Sequence, residues 1–166
     1  MFYETSRFPF TEKLEGNWAS VLNEYILLKT GTIPYFETDM YTGEWDVFPF
    51  IFFGDVDEDR CKLCPKTWEM LKDIPGLQTA AFSVLRYDTD IKPHTGFTDK
   101  VLRCHLGLLT PSRCLLVVED EPRRWEAGKC LIFDDTREHY AYNHSEEDRV
   151  VLLLDFEKDE TIKKAS

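Results

Sequence analysis

AAFSVLRY (80–87), VLRCHLGLL (101–109), CLLVVED (114–120), KCLIFDD (129–135), HYAYN (139–143) and RVVLLLDF (149–156) follow one another through the second half of the chain, separated by turn-rich stretches. Runs of this length, bounded by turn residues and spaced this closely, predict an antiparallel sandwich or barrel. Within VLRCHLGLL, Arg103 and His105 alternate with Leu102, Cys104 and Leu106. The polar pair should therefore share one face of its strand. A polar face turned inward is what a ligand pocket requires.

Upstream, the periodicity is different. Thr11 is a candidate helix cap, and Leu14, Trp18, Val21, Leu22 and Tyr25 recur at three- and four-residue spacing, which predicts one amphipathic helix. Residues 31–59 are irregular and aromatic, with Tyr35, Phe36, Trp45, Phe48, Phe50, Phe52 and Phe53 interrupted by Pro34, Pro49 and Gly54. They read as extended segments and loops that could wall off a site. Pro65 suits a first helical position, and Trp68, Leu71 and Ile74 predict a short second helix ending at Pro75-Gly76. With no repeat and no Gly/Ser linker, residues 1–166 read as a single domain: 1–79 a helical and loop buttress, 80–157 the β core.

The chain has 166 residues, 43% of them hydrophobic, enough for one core. A formal net charge of −11 and a pI near 4.8 oppose nucleic acid and anionic lipid as partners. The stretch MFYETSRFPF shows no basic flank followed by an apolar h-region, and no apolar run approaches membrane-spanning length, so a cytoplasmic location is expected. Five cysteines, an odd and sparse set, point to reduced thiols.

All four histidines fall in the β-rich half. His94 sits in IKPHTG after AAFSVLRY, and His139 follows KCLIFDD, so each should lie near a strand end, where a barrel displays ligands. Arg149 opens the apolar run RVVLLLDF, and a buried guanidinium needs an anion. A dicarboxylic cosubstrate would satisfy it through one carboxylate while its other end chelates a metal held by the histidines, which predicts 2-oxoglutarate.

FSVLRYDTDIKPHTG, LRCHLGL, WEAGKCLIFDDTREH and DRVVLLLDF, with GEWDVFPF upstream, resemble successive blocks of the aspartyl/asparaginyl β-hydroxylase family. The resemblance implies a mainly β fold with flanking helices, a double-stranded β-helix or jelly roll related to the cupins. It makes His94 and His139 the catalytic Fe(II) ligands. It makes Arg149 and Ser83 the clamp on the distal carboxylate of 2-oxoglutarate, and it sets Arg103 and His105 against the carboxylate next to the keto group. Many Fe(II) oxygenases complete a facial triad with a carboxylate two residues after the first histidine, where this chain has Gly96, as that family does. The implied reaction uses O2, releases succinate and CO2, and hydroxylates a C–H bond of an unidentified primary substrate, an Asp/Asn-containing peptide or a related small molecule. Alternatives are a fatty acyl hydroxylase of the same family and a cupin-like binding protein without turnover.

For single residues the plain structural reading competes. His144 reads as a turn residue, Asp134 and Asp135 as turn formers at a strand end, and Cys61 and Cys64 as ordinary thiols lacking a second zinc-binding pair. Arg149 could instead pair with Glu146, Glu147, Asp148 or Asp155.

Overall fold

The structure, a computed structural model, describes residues 1–29 and 31–163. Among them the chain builds two antiparallel sheets. The larger holds β1 (Phe2–Tyr3), β2 (Ile33–Pro34), β4 (Trp45–Phe52), β5 (Asp55–Val56), β6 (Leu77–Leu85), β8 (Val101–Leu109), β11 (Cys130–Phe133) and β13 (Arg149–Glu157). Their order is β1-β11-β8-β13-β6-β4-β2, with β5 folded back on β4. The smaller holds β3 (Tyr41–Thr42), β7 (Thr89–His94), β9 (Cys114–Val118), β10 (Glu121–Arg123) and β12 (His139–Asn143), in the order β10-β9-β12-β7-β3. From β6 to β13 the chain crosses between the sheets at every connection except the β9–β10 hairpin. That alternation is the double-stranded β-helix expected from the sequence.

Alternation along the central strands divides the interior in two. In β13, Val150, Leu152, Leu154 and Phe156 face one core, together with Ala80, Phe82 and Val84 of β6 and Leu102, Cys104 and Leu106 of β8. Val151 and Leu153 face a second core between the sheets, with Leu85, Ile91, Leu116, Val118 and Phe133. β13 is buried along both faces, which is why it reads as a continuous apolar run. Ser83, Arg103, His105 and Arg149 have the parity of the second core, and the pairing Val151↔Ser83 and Leu153↔His105 holds them in register.

Helices cover the outer face of the larger sheet. The amphipathic segment forms with its apolar face as expected: Leu14 and Val21 are fully buried, and Trp18, Leu22 and Tyr25 pack on the same core. It is two helices, however, α1 (Phe10–Gly16) and α2 (Trp18–Leu27). Gly16 is a poor helix former, and the Asn17 amide donates to the Lys13 carbonyl at 2.7 Å, a local bond that competes with helix continuation. Thr11 lies inside the first turn rather than at the cap, its hydroxyl donating to Phe8 O at 2.8 Å. Pro65 opens α4 (Pro65–Leu71) as expected, while Ile74 is buried in the turn beyond it. A further helix, α3 (Glu58–Leu63), is capped by Asp57, which accepts from Arg60 N at 3.0 Å. A short α5 (Glu160–Lys163) ends the described chain.

Two boundaries differ from the sequence reading. β4, from the stretch read as buttress, pairs with β6 over most of its length and is a full member of the larger sheet. His94 does not end the AAFSVLRY strand; it ends a separate strand, β7, in the opposite sheet. The polar pattern TDIKPH, with Pro93 near its end, conceals that strand because it lies toward the sheet rim, with Lys92 and Pro93 exposed.

Candidate active site

β7 and β12 pair antiparallel with His94 opposite His139, and their ring centroids are 4.2 Å apart. Each ring is oriented by the carbonyl two residues before it. His94 Nδ1 lies 2.7 Å from Lys92 O and His139 Nδ1 2.8 Å from Arg137 O. Because a carbonyl only accepts, each Nδ1 carries the proton and each Nε2 keeps its lone pair. Burial lowers both rings' proton affinity, and His139, with His94 beside it, is pushed down to about 3. Two neutral imidazoles with free Nε2 atoms and carbonyl-fixed tautomers are a suitable donor pair for a divalent first-row metal. Among the described residues no third His, Cys, Asp or Glu completes a metal-binding cluster with them.

The loop before His139 is held tightly. Asp134 accepts from Thr136 N at 3.0 Å and Thr136 Oγ1 at 2.7 Å, and its other oxygen meets Lys158 Nζ at 2.8 Å in a buried ion pair. The turn reading thus describes Asp134. It does not describe Asp135, whose Oδ1 is buried without a hydrogen-bond partner and whose carboxyl is pushed up to about 6 mainly by burial. Gly96 N donates to Asp135 O at 2.7 Å, and a Cβ at position 96 would lie 2.2 Å from Asp135 Oδ2. The Asp135 carboxylate occupies the space a side chain at position 96 would fill, so a larger residue there has to displace it.

Arg149 is fully buried and has no carboxylate partner among the described residues. Asp148 pairs with Arg86, and Asp155 with Arg103, so the salt-bridge alternative for Arg149 fails. Its guanidinium lies over the Trp125 ring at 4.6 Å, one nitrogen donates to Ser83 Oγ at 3.2 Å, and Nε has no partner. Burial pushes it down to about 9. Ser83 Oγ also accepts from Trp45 Nε1 at 2.9 Å. His105 Nδ1 accepts from Trp125 Nε1 at 3.1 Å, so its proton sits on Nε2, which is buried and unpaired. Burial and the two nearby arginines hold that imidazole neutral. Ser83, Arg103, His105 and Arg149 border, with His94 and His139, one small cavity of about 30 Å³.

The site therefore gathers all six residues singled out in the sequence, but Arg103 is already committed. It makes a bidentate pair with Asp155, at 2.7 and 2.8 Å, and lies 3.4 Å from Asp135. Trp45 and Trp125 went unnoticed in the sequence as site residues, since a lone Trp signals packing as readily as a hydrogen-bond donor. His144 lies apart, on Asp90 at 2.8 Å, and Arg86 is tied to Asp46 and Asp148. Burial lifts the Cys61 and Cys64 thiols to about 11 and about 12, away from thiolate chemistry at neutral pH.

A second, open cavity of about 690 Å³ adjoins the first, sharing Trp45, Arg103 and Leu153 with it. Val47, Pro49 and Ile51 of β4 floor it, and Phe36, Phe52, Phe53 and Phe97 stand at its mouth. The aromatic segment lines this second cavity, and of its rings only Trp45 also borders the small one.

A family model described as aspartyl/asparaginyl beta-hydroxylase matches residues 15–159. The chain is 37% identical to the ornithine lipid ester-linked acyl 2-hydroxylase of Rhizobium tropici, over 94% of this chain and 60% of that protein. It is 36% identical to aspartate beta-hydroxylase domain-containing protein 2 of Mus musculus, over 87% and 46%. With the human aspartyl/asparaginyl beta-hydroxylase it shares 32%, over 92% and 21%. It thus spans 60% or less of each of these relatives. Among solved structures, a 2OG-Fe(II) oxygenase family oxidoreductase from Burkholderia pseudomallei superposes with a TM-score of 0.58 at 11% identity, covering 84% of this chain and 77% of that one. A predicted oxalate decarboxylase from Thermotoga maritima gives 0.54 at 11%, covering 78% and 95%. These two show the fold alone: mainly β, of the cupin and jelly-roll type. Family match and fold agree, and the chain belongs to the aspartyl/asparaginyl beta-hydroxylase family.

Proposed function

We propose that this chain is an Fe(II)- and 2-oxoglutarate-dependent oxygenase and that its primary substrate presents a long apolar chain for hydroxylation. The observation that carries the cosubstrate is Arg149, a buried cation lacking a counter-anion, with Ser83 beside it and the unpaired Nε2–H of His105 on the same face. A charge left so is costly, and a dicarboxylate supplies the missing anion. His94 and His139 would hold the metal through Nε2. Bound Fe(II) and 2-oxoglutarate supply, with O2, an oxidant for a C–H bond and leave succinate and CO2.

The protein's own part is positional. Arg149 and Ser83 fix one carboxylate, His105 donates to the other end, and Trp45 holds the Ser83 hydroxyl in place. Arg103 can reach the cosubstrate only by sharing itself with Asp155. Trp125, which borders the small cavity, is carried by a loop rather than a strand. The surrounding apolar core keeps bulk water from the oxidant. Free, buried cysteines at all five positions fit a cytoplasmic setting, and no helix among the described residues is long and apolar enough to cross a membrane.

For the substrate, an Asp/Asn side chain suits the family name, but the cavity next to the histidines favours an acyl chain. Its walls are overwhelmingly apolar, and the Arg103 guanidinium that could greet a substrate carboxylate is occupied by Asp155. The Rhizobium relative carries an acyl hydroxylase name over nearly this whole chain. The test has two stages. Anaerobic Fe(II) and 2-oxoglutarate added to metal-free protein should give the visible charge-transfer band of the chelate, and His94→Ala should not. Succinate release should then rise with long-chain acyl amides and stay at background with Asp/Asn peptides; the reverse preference would sink the acyl reading, and absence of the band would sink the cosubstrate.

A further inference from the structure

The mouth of the larger cavity is built from four phenylalanines on three separate connections. Phe36 follows β2, Phe52 and Phe53 form the β4–β5 hairpin, and Phe97 lies between β7 and β8. They are 58%, 44%, 55% and 62% exposed, far more than rings of this size usually are. They nevertheless form one cluster: ring centroids are 4.6 Å apart for Phe52–Phe53, 6.1 Å for Phe36–Phe52, and 6.4 Å for Phe36–Phe97 and Phe53–Phe97. The hairpin carries a second sign. Phe52 pairs with Asp55, so Phe53 and Gly54 are the two turn residues, with φ of 46° and 85°. A two-residue turn of that kind favours Asn-Gly, and a bulky aromatic at its first position is strained. Strain retained at an exposed tip is a reason to look for function there.

Charge narrows the choice of partner. The acidic groups at the cavity include Asp55, Asp57 and Glu157; of the basic groups there Arg60 is bound to Asp57 and Arg103 to Asp155, which leaves Lys100 as the one without an ion pair among the described residues. With the chain at −11 overall, an anionic surface would repel it. The energetic hot spots of protein-binding patches are enriched in Trp, Tyr and Arg, whereas phenyl rings set around the opening of an apolar cavity suit a lipid surface. The rings also open into the larger cavity, which adjoins the small one bordered by the histidines, so a chain passing between them enters a largely apolar groove next to the site.

We propose that the four phenylalanines form a docking surface for a zwitterionic lipid bilayer, from which the acyl substrate is drawn into the cavity; this rests on the acyl reading above. The test uses flotation of the full chain with phosphatidylcholine vesicles, without iron or 2-oxoglutarate. Wild type should float with the vesicles, and Phe53→Asn/Phe97→Ser should lose on the order of tenfold in partition. The Phe53→Asn change relieves the turn, so the double variant should melt no lower than wild type and keep its thermal shift with Mn(II) and 2-oxoglutarate. The proposal is overturned if wild type ignores phosphatidylcholine vesicles, if it binds only vesicles containing anionic lipid, or if the folded variant floats equally well. Self-association of wild type without flotation, abolished in the variant, would give this face to a second copy and also overturn it. Hydroxylation of a soluble acyl amide without vesicles reports separately on the acyl reading.

Discussion

Replacing Arg149 with Met should make the protein without cosubstrate more stable and at the same time blind to 2-oxoglutarate. Burial takes this guanidinium from its usual strongly basic range down to about 9, so the folded state carries a penalty on the order of several kcal/mol. Because the folded value lies below the unfolded one, the penalty is complete below pH 9 and fades only as pH climbs toward the unfolded value. Methionine fills similar space without charge, and exchanges of buried charges for apolar groups typically gain about 1–4 kcal/mol. For a domain of this length that is roughly 2–4 °C in Tm per kcal/mol. Wild type at a hundredfold excess of 2-oxoglutarate over Kd, with Mn(II), should gain about 2.7 kcal/mol, and Arg149→Met nothing. Thermal unfolding of both proteins, with and without the diacid, reads the two effects together. A variant that melts well below wild type, or one that still responds to 2-oxoglutarate, would refute the reasoning, since either shows that Arg149 already has its partner.

Gly96→Ala should destabilise by about 1–3 kcal/mol in urea, because its Cβ would lie 2.2 Å from Asp135 Oδ2; adding Asp135→Ala should recover at least half of that, and independent, additive effects would contradict the steric account. Lys158→Met should cost about 3–5 kcal/mol by chemical denaturation, as one half of a buried pair is removed. Burial opposes it, but Lys158 and Thr136 hold the Asp134 carboxyl below its usual 3.8, so wild-type stability from this group is present above 3.8 and lost as pH falls through the lower folded value. The Lys158→Met variant should lack part of that acid sensitivity, and an unchanged pH profile would show that the pair does not contribute. Ser83→Ala should weaken 2-oxoglutarate binding severalfold, by removing the oxygen that Trp45 and Arg149 share, and titration by thermal shift would detect it.

The sequence made some of this legible because strand alternation survives folding. Arg103 and His105 were placed on one face by parity alone, and they share it. Leu14, Val21 and Tyr25 likewise keep a helical stripe across the break at Gly16-Asn17, because packing, rather than continuity, decides which side is apolar. What stayed hidden was set by contacts between distant segments. Nothing local to Asp135 says that it fills the space beside Gly96, and nothing local to Arg103 says that Asp155 claims it from the adjacent strand. β7 escaped notice because its exposed end, with Lys92 and Pro93 beyond the pairing with β3, need not look apolar. The negative charges at 146–148 made an ion pair for Arg149 plausible until the fold turned Asp148 outward to Arg86.

The odd-and-even division of β6, β8 and β13 gives this scaffold two nearly independent alphabets. Even positions such as Phe82, Cys104 and Leu152 answer to the helices, while odd ones such as Ser83, His105 and Arg149 answer to the chemistry between the sheets. Point changes can therefore revise what the pocket accepts while the helix-packed layer keeps the chain folded. A single-residue insertion or deletion within these strands has no such freedom, because it would exchange the two alphabets and lose both together.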